Sequence, residues 1–280
     1  MRRSVIARSH SGAREIAALM VLYAVYEVVR GVGGVDFERA RLNTADIVAL
    51  ERSLHLFGEQ TLQSWAEGIR GLPAALGVAY LLLHFVGTTV ALIWVHRSRR
   101  AHFAIVRTTL ILATALALIG YVLYPAAPPR LSGLGFADTV SNSTGFNLSS
   151  DVLGSLYNPV AAVPSLHFGY ALIVGFAIAA LARSRAIRIA GALYPALMLL
   201  VIVATGNHWF LDAAAAAVVV AAGWLVARVL VRLPSSTPSA VADAERRRLD
   251  GLRAPARPAR VSPGSRSRDP RRATGEFVRC

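Results

Sequence analysis

The chain contains no lysine, and all thirty of its basic residues are arginine. It has one cysteine, the final residue Cys280, so no intramolecular disulfide can form. Cys280 is also misplaced for prenylation, which needs the cysteine four residues from the end. Charged residues make up only 16% of the sequence against 55% hydrophobic, and mean hydropathy is positive. That scarcity of charge excludes an ordinary soluble domain. Arginine in place of lysine, with abundant Ala, Val and Gly, points to a GC-rich coding bias and a bacterial source.

The apolar residues come in blocks about twenty long, the length a helix needs to cross a bilayer. Spanning segments must pair every backbone group internally, so these blocks are expected to be helices. They fall near residues 15–33, 72–95, 103–125, 166–182, 188–205 and 209–232. The expected fold is all-α, a polytopic membrane protein with a bundle of six transmembrane helices over residues 15–232. Residues 1–14 form a basic cytoplasmic N-terminus, and residues 233–280, rich in Arg, Pro and Ser, a disordered cytoplasmic tail. The basic first segment is long and lacks a small-residue cleavage site, so it reads as a retained span.

The net charge of +14 raises the question of nucleic acid, but its distribution argues for a membrane and against that partner. Arg2, Arg3, Arg8 and Arg14 precede the first block; Arg97, Arg99 and Arg100 follow the second; Arg183, Arg185 and Arg188 follow the fourth. Many more follow the sixth. In a six-span arrangement these clusters share one side, which the positive-inside rule makes cytoplasmic. Both termini are then inside a plasma (inner) membrane, and residues 34–71, 126–165 and 206–208 face outward. From Ile47 to Trp65 apolar positions recur at helical spacing, predicting a helix in the outer interface that caps the bundle. Residues 131–159, rich in Gly, Ser and Asn, are a candidate lid. The small residues of the sixth block, Ala213 to Ala217 and Ala221-Ala222-Gly223, suit close helix packing.

Three short motifs lie on the outward side. The first is Tyr124-Pro125-Ala126-Ala127-Pro128-Pro129-Arg130; the prolines end a helix, and Arg130 offers a planar fork suited to phosphate oxygens. The second is Pro164-Ser165-Leu166-His167, which opens the fourth block. Free amides of a first helical turn favour an anion there, and Ser165 is either a hydroxyl donor to it or a plain helix cap. The third is Asn207-His208 followed by Asp212, four residues on and so on the same helix face. A carboxylate beside an imidazole fixes its tautomer and leaves the other nitrogen to attack or to move a proton. Each motif alone has a structural explanation; an arginine, two histidines and a carboxylate on one side of a membrane together define an anion site, phosphate first. One histidine attacks phosphorus and the other protonates the leaving oxygen. No metal-ligand cluster of suitable spacing is visible, and the mechanism needs neither metal nor other cofactor. His84 lies deeper in its block and reads as a hydrogen bond between helices; Arg107 lies near the cytoplasmic start of its own and snorkels.

Ala127-Pro128-Pro129-Arg130, Pro164-Ser165-Leu166-His167 and His208-x-x-x-Asp212 together resemble the type-2 phosphatidic acid phosphatase superfamily. The variants look most like its inositol phosphorylceramide synthase-like, or inositolphosphotransferase-like, branch. The resemblance implies that His208 becomes phosphorylated, Asp212 orients it and His167 is the general acid. It also implies that Arg130 and Ser165 bind phosphate, without a metal, in a six-helix core. Two departures stand out: Leu123 and Ile202 occupy positions where the wider superfamily has a lysine and an arginine. Asn207 and backbone amides are candidates to complete the phosphate cradle. The expected substrate is a membrane lipid phosphate, such as phosphatidic acid or a polyprenyl phosphate, with water as acceptor. Alternatives are transfer of a phospholipid head group to a lipid or polyol hydroxyl, and a non-catalytic lipid transporter or scaffold. A transporter would carry broken helices or midplane charges, which this pattern does not. The oligomeric state is not encoded in these features.

Overall fold

A computed structural model describes residues 36–144 and 158–232, together with Val21, Ala24, Val25 and Val28. Contacts divide the chain into units of residues 1–233 and 234–280. The expected first span lies almost wholly outside the described residues, and the expected tail and residues 145–157 of the candidate lid do so entirely. The described residues are helical, without strands: α1 (Phe37–Ser53), α2 (Glu59–Glu67), α3 (Leu72–Ser98), α4 (Arg100–Leu123), α5 (Thr139–Thr144), α6 (Leu166–Leu181), α7 (Arg185–Ala204) and α8 (Phe210–Arg232).

Four of these helices, α3, α4, α7 and α8, are long and apolar enough to cross a membrane. The apolar helix α6 is shorter, at 16 residues. Large apolar side chains point outward, among them Phe85, Phe176, Leu193, Val218 and Val229. The helix contacts instead use small residues. A Cβ on Gly175 of α6 would lie 2.7 Å from the Gly191 carbonyl of α7, and one on Gly223 of α8 would lie 3.1 Å from Ala113 N of α4. This is the pattern expected where lipid, not water, surrounds the bundle.

The expected single helix over Ile47–Trp65 is two. His55 adopts a left-handed backbone (φ 56°), and Leu56 N donates back to the Glu51 carbonyl at 2.8 Å, so α1 stops and α2 begins after a turn. The apolar positions on the two sides of the break serve different cores: Ile47 and Val48 of α1 pack with the fully buried Trp209, Ala126 and Ala162, whereas Leu62 and Ala66 of α2 pack with Tyr80, Val201 and Ile202. α1 is also tied down by polar contacts. Asn43 Nδ2 donates to the Pro125 carbonyl at 2.8 Å, and Ala127 N donates to Thr44 Oγ1 at 2.8 Å. On α2, Gln63 exchanges bonds with Ala137 of the 131–144 segment, at 2.9 and 3.0 Å.

Two of the arginine-rich turns lie at one end of the bundle. Arg99, between α3 and α4, donates through Nε to the carbonyl of Leu181, the last residue of α6, at 2.8 Å. The first turn of α6, which carries His167, is therefore at the opposite end.

Candidate functional site

The three motifs converge because the segments before them pair. Ala126 N donates to the Val160 carbonyl at 2.8 Å and Ala162 N to the Ala126 carbonyl at 3.1 Å, a single parallel bridge joining the first motif to the second. The third motif is joined to the first by Arg130 N, which donates to the Gly206 carbonyl at 2.9 Å, and by Trp209 Nε1, which donates to the Ala127 carbonyl at 3.0 Å. It meets the second where Ser165 N donates to the Asp212 carbonyl at 3.0 Å.

His208 sits just before α8, almost fully buried. Its Nδ1 lies 3.1 Å from Asp212 Oδ2 and 3.1 Å from the Ala162 carbonyl. Both partners are acceptors, so Nδ1 carries the proton and Nε2 holds the lone pair. Asp212 is wholly buried, and its Oδ2 also accepts from Trp209 N at 2.9 Å, which fixes the carboxylate relative to the imidazole. The His167 ring lies 5.7 Å from the His208 ring, centroid to centroid.

Arg130 is buried and held from two sides. Its Nε donates to Asn207 Oδ1 at 3.0 Å, and its Nη1 faces Asp138 Oδ2 at 3.4 Å. Asn207 in turn donates through Nδ2 to the carbonyl and hydroxyl of Thr205, at 3.2 and 2.9 Å. The amide thus orients Arg130 and is engaged within the protein. Ser165 is the N-cap of α6, its hydroxyl oxygen accepting from Phe168 N at 3.3 Å. Ile202 is fully buried in the core, and its carbonyl accepts from Asn207 N and His208 N. The Leu123 carbonyl, at the end of α4, accepts from Arg39 Nη2 of α1 at 2.7 Å.

Two parts of the site have no signal in the motifs. The first is His84, expected to hydrogen-bond between helices. Among the described residues its buried Nδ1 has no hydrogen-bond partner, and its ring lies tilted against His167 with centroids 4.0 Å apart. A π-helical segment, Leu83–Gly87, interrupts α3 here, and Tyr194 Oη donates to the Leu83 carbonyl at 2.6 Å. Such bulges redirect side chains and frequently mark functional sites.

The second is a pair of carboxylates on the capping helices. Glu59 Oε1 accepts from Phe210 N at 3.1 Å and Glu51 Oε1 from Leu211 N at 2.8 Å. The free amides at the start of α8 are thus bound by side chains some 150 residues earlier, 151 and 160 positions away. Both carboxyls are fully buried. Burial pushes the Glu51 carboxyl up to about 9, and the adjacent Glu59 adds to the shift by hydrogen bonding and charge.

The sequence pattern that defines the PAP2 superfamily matches residues 45–226, a stretch that includes all three motifs and both buried glutamates. The chain belongs to the PAP2 superfamily. Membership suggests a phosphatase-type enzyme in general terms, and the apolar helices suggest a membrane protein. No curated protein and no solved structure matches the chain.

Proposed function

We propose that the protein hydrolyses a lipid phosphate at the outer face of the plasma membrane through a phosphohistidine intermediate, without a metal. The observation that carries this reading is the hydrogen bonding of His208. With Nδ1–H shared between Asp212 and the Ala162 carbonyl, Nε2 presents its lone pair as a nucleophile. It attacks phosphorus while the bond to the leaving oxygen breaks, and His167 supplies a proton to that oxygen. Asp212 balances the positive imidazole that results. Arg130, aimed by Asn207 and Asp138, stabilises charge on the equatorial oxygens. Water activated by His167 then opens the phosphohistidine and returns the starting state. A lipid or polyol hydroxyl at the same step would give head-group transfer by the same first half-reaction.

Phosphate release from a panel of lipid phosphates, in EDTA, for wild type and His208→Ala tests the reading. Release by wild type alone supports it and names the lipid class. Equal release by both removes His208 as the nucleophile. Release that appears only as a transferred head group, when polyol acceptors are added, identifies a transferase.

A further inference from the structure

The π-helical segment brings a third histidine to the site, and the three motifs leave it without a role. The His167 ring contacts two aromatic faces from α3, Tyr80 at 4.2 Å (interplanar 20°) and His84 at 4.0 Å (33°). Tyr80 and His84 are four apart, one turn of helix. His84 is itself stacked on Tyr170 of α6, at 5.2 Å and 11°. Tyr170 Oη is held 2.8 Å from Thr114 Oγ1 of α4, so the stack is braced by three helices.

We infer that His84 is a positioning residue for His167, its ring face fixing the His167 imidazole towards His208 so that its proton is aimed at the leaving oxygen. The inference rests on the reading of His167 as the leaving-group acid. Its chemistry follows from contacts in hand. Among the described residues Nδ1 of His84 finds no hydrogen-bond partner, and what the ring presents to His167 is its face. A ring packed face to face against a braced neighbour is held in one orientation. During the step the P–O bond breaks, its electron pair stays on oxygen, and the His167 proton joins that oxygen. Loss of the supporting face therefore slows the first half-reaction only where the leaving oxygen needs a proton; the later water step, which also uses His167, is common to all substrates.

The test compares the first turnover, by rapid quench, of two substrates, dodecyl phosphate and 4-nitrophenyl phosphate, with wild type, His84→Ala, His84→Phe, His167→Ala and His208→Ala. An alkoxide must be protonated to leave, whereas nitrophenoxide leaves unaided. His84→Ala is expected to slow dodecyl phosphate about tenfold or more while changing 4-nitrophenyl phosphate less than about twofold. His84→Phe, which restores an aromatic face, is expected to recover most of the dodecyl phosphate rate. Equal slowing of both substrates by His84→Ala would reduce His84 to a packing residue. A Phe variant as slow as Ala, or an Ala variant as fast as wild type, would equally overturn the inference. The underlying reading fails separately: His167→Ala would then show no preference between leaving groups, or His208→Ala would retain both activities.

Discussion

Asp212 lies one helical turn after His208 and holds its Nδ1 at 3.1 Å, while the same carboxylate oxygen accepts the Trp209 amide at 2.9 Å. The contact therefore fixes tautomer and orientation together. Asp212→Asn keeps an acceptor for Nδ1–H but, in the proposed mechanism, removes the charge that balances a phosphorylated imidazole. Turnover is expected to fall about 10³- to 10⁴-fold with little change in KM. Steady-state kinetics on a lipid phosphate measure it, and an unchanged kcat would show that Asp212 acts only in folding.

Arg130 depends on its fork. Lysine has no planar pair of donors, so Arg130→Lys cannot meet Asn207 and Asp138 at once. Activity is expected to drop about 100-fold. Asn207→Ala leaves the charge in place but unaimed, and a smaller loss of about tenfold is expected. If Asn207→Ala equals Arg130→Lys in its effect, the amide does more than aim the arginine.

Glu51 predicts a pH dependence of stability. Its folded pKa of about 9 stands above the ordinary 4.5, so across that window the folded protein binds the extra proton. Stability therefore falls as pH rises from 4.5 to about 9 and levels off beyond. Glu51→Gln has no such proton to lose, and its Tm should vary less with pH over the same range. The amide still accepts from Leu211 N, so activity is expected to survive; Glu51→Ala, which strips that amide of its partner, should lose both.

Gly206 predicts a tight steric limit. It adopts φ +68°, and a Cβ there would lie 2.9 Å from Gln63 Nε2 and 3.0 Å from the Ala137 carbonyl. Gly206→Ala is expected to cost about 1–2 kcal/mol from backbone conformation alone, more with the crowding. Because Gly206 also accepts from Arg130 N, activity and Tm should fall together. A variant with wild-type Tm would mean that the 206–208 turn relaxes freely.

The long helices were legible because their apolar runs exceed what any soluble helix needs; expected ends at 103–125 and 188–205 became Arg100–Leu123 and Arg185–Ala204. The His208–Asp212 pair was legible for a local reason, a spacing of four on one helix. His84 was not, since a π-helical bulge rotates the face of α3 and no run of apolar letters announces it. Glu51 and Glu59 were hidden by distance, because their partners are backbone amides of α8, which carry no residue signature. Ser165 had two readings, and its bond to Phe168 N is the capping one.

At 16 residues, α6 extends about 24 Å along its axis, less than the roughly 30 Å of a hydrocarbon core. One of its ends is pinned to the arginine-rich turn through Arg99. With that turn at one boundary of a membrane, α6 would leave His167 several ångströms short of the other, and in the proposed reaction phosphate and water would have to descend to it or the lipid dip to meet them. Either way the surrounding bilayer becomes a reaction component, and thinner membranes shorten the descent. Reconstitution in phosphatidylcholines of increasing acyl length should therefore slow turnover step by step, by a mechanism that no side chain in the site controls.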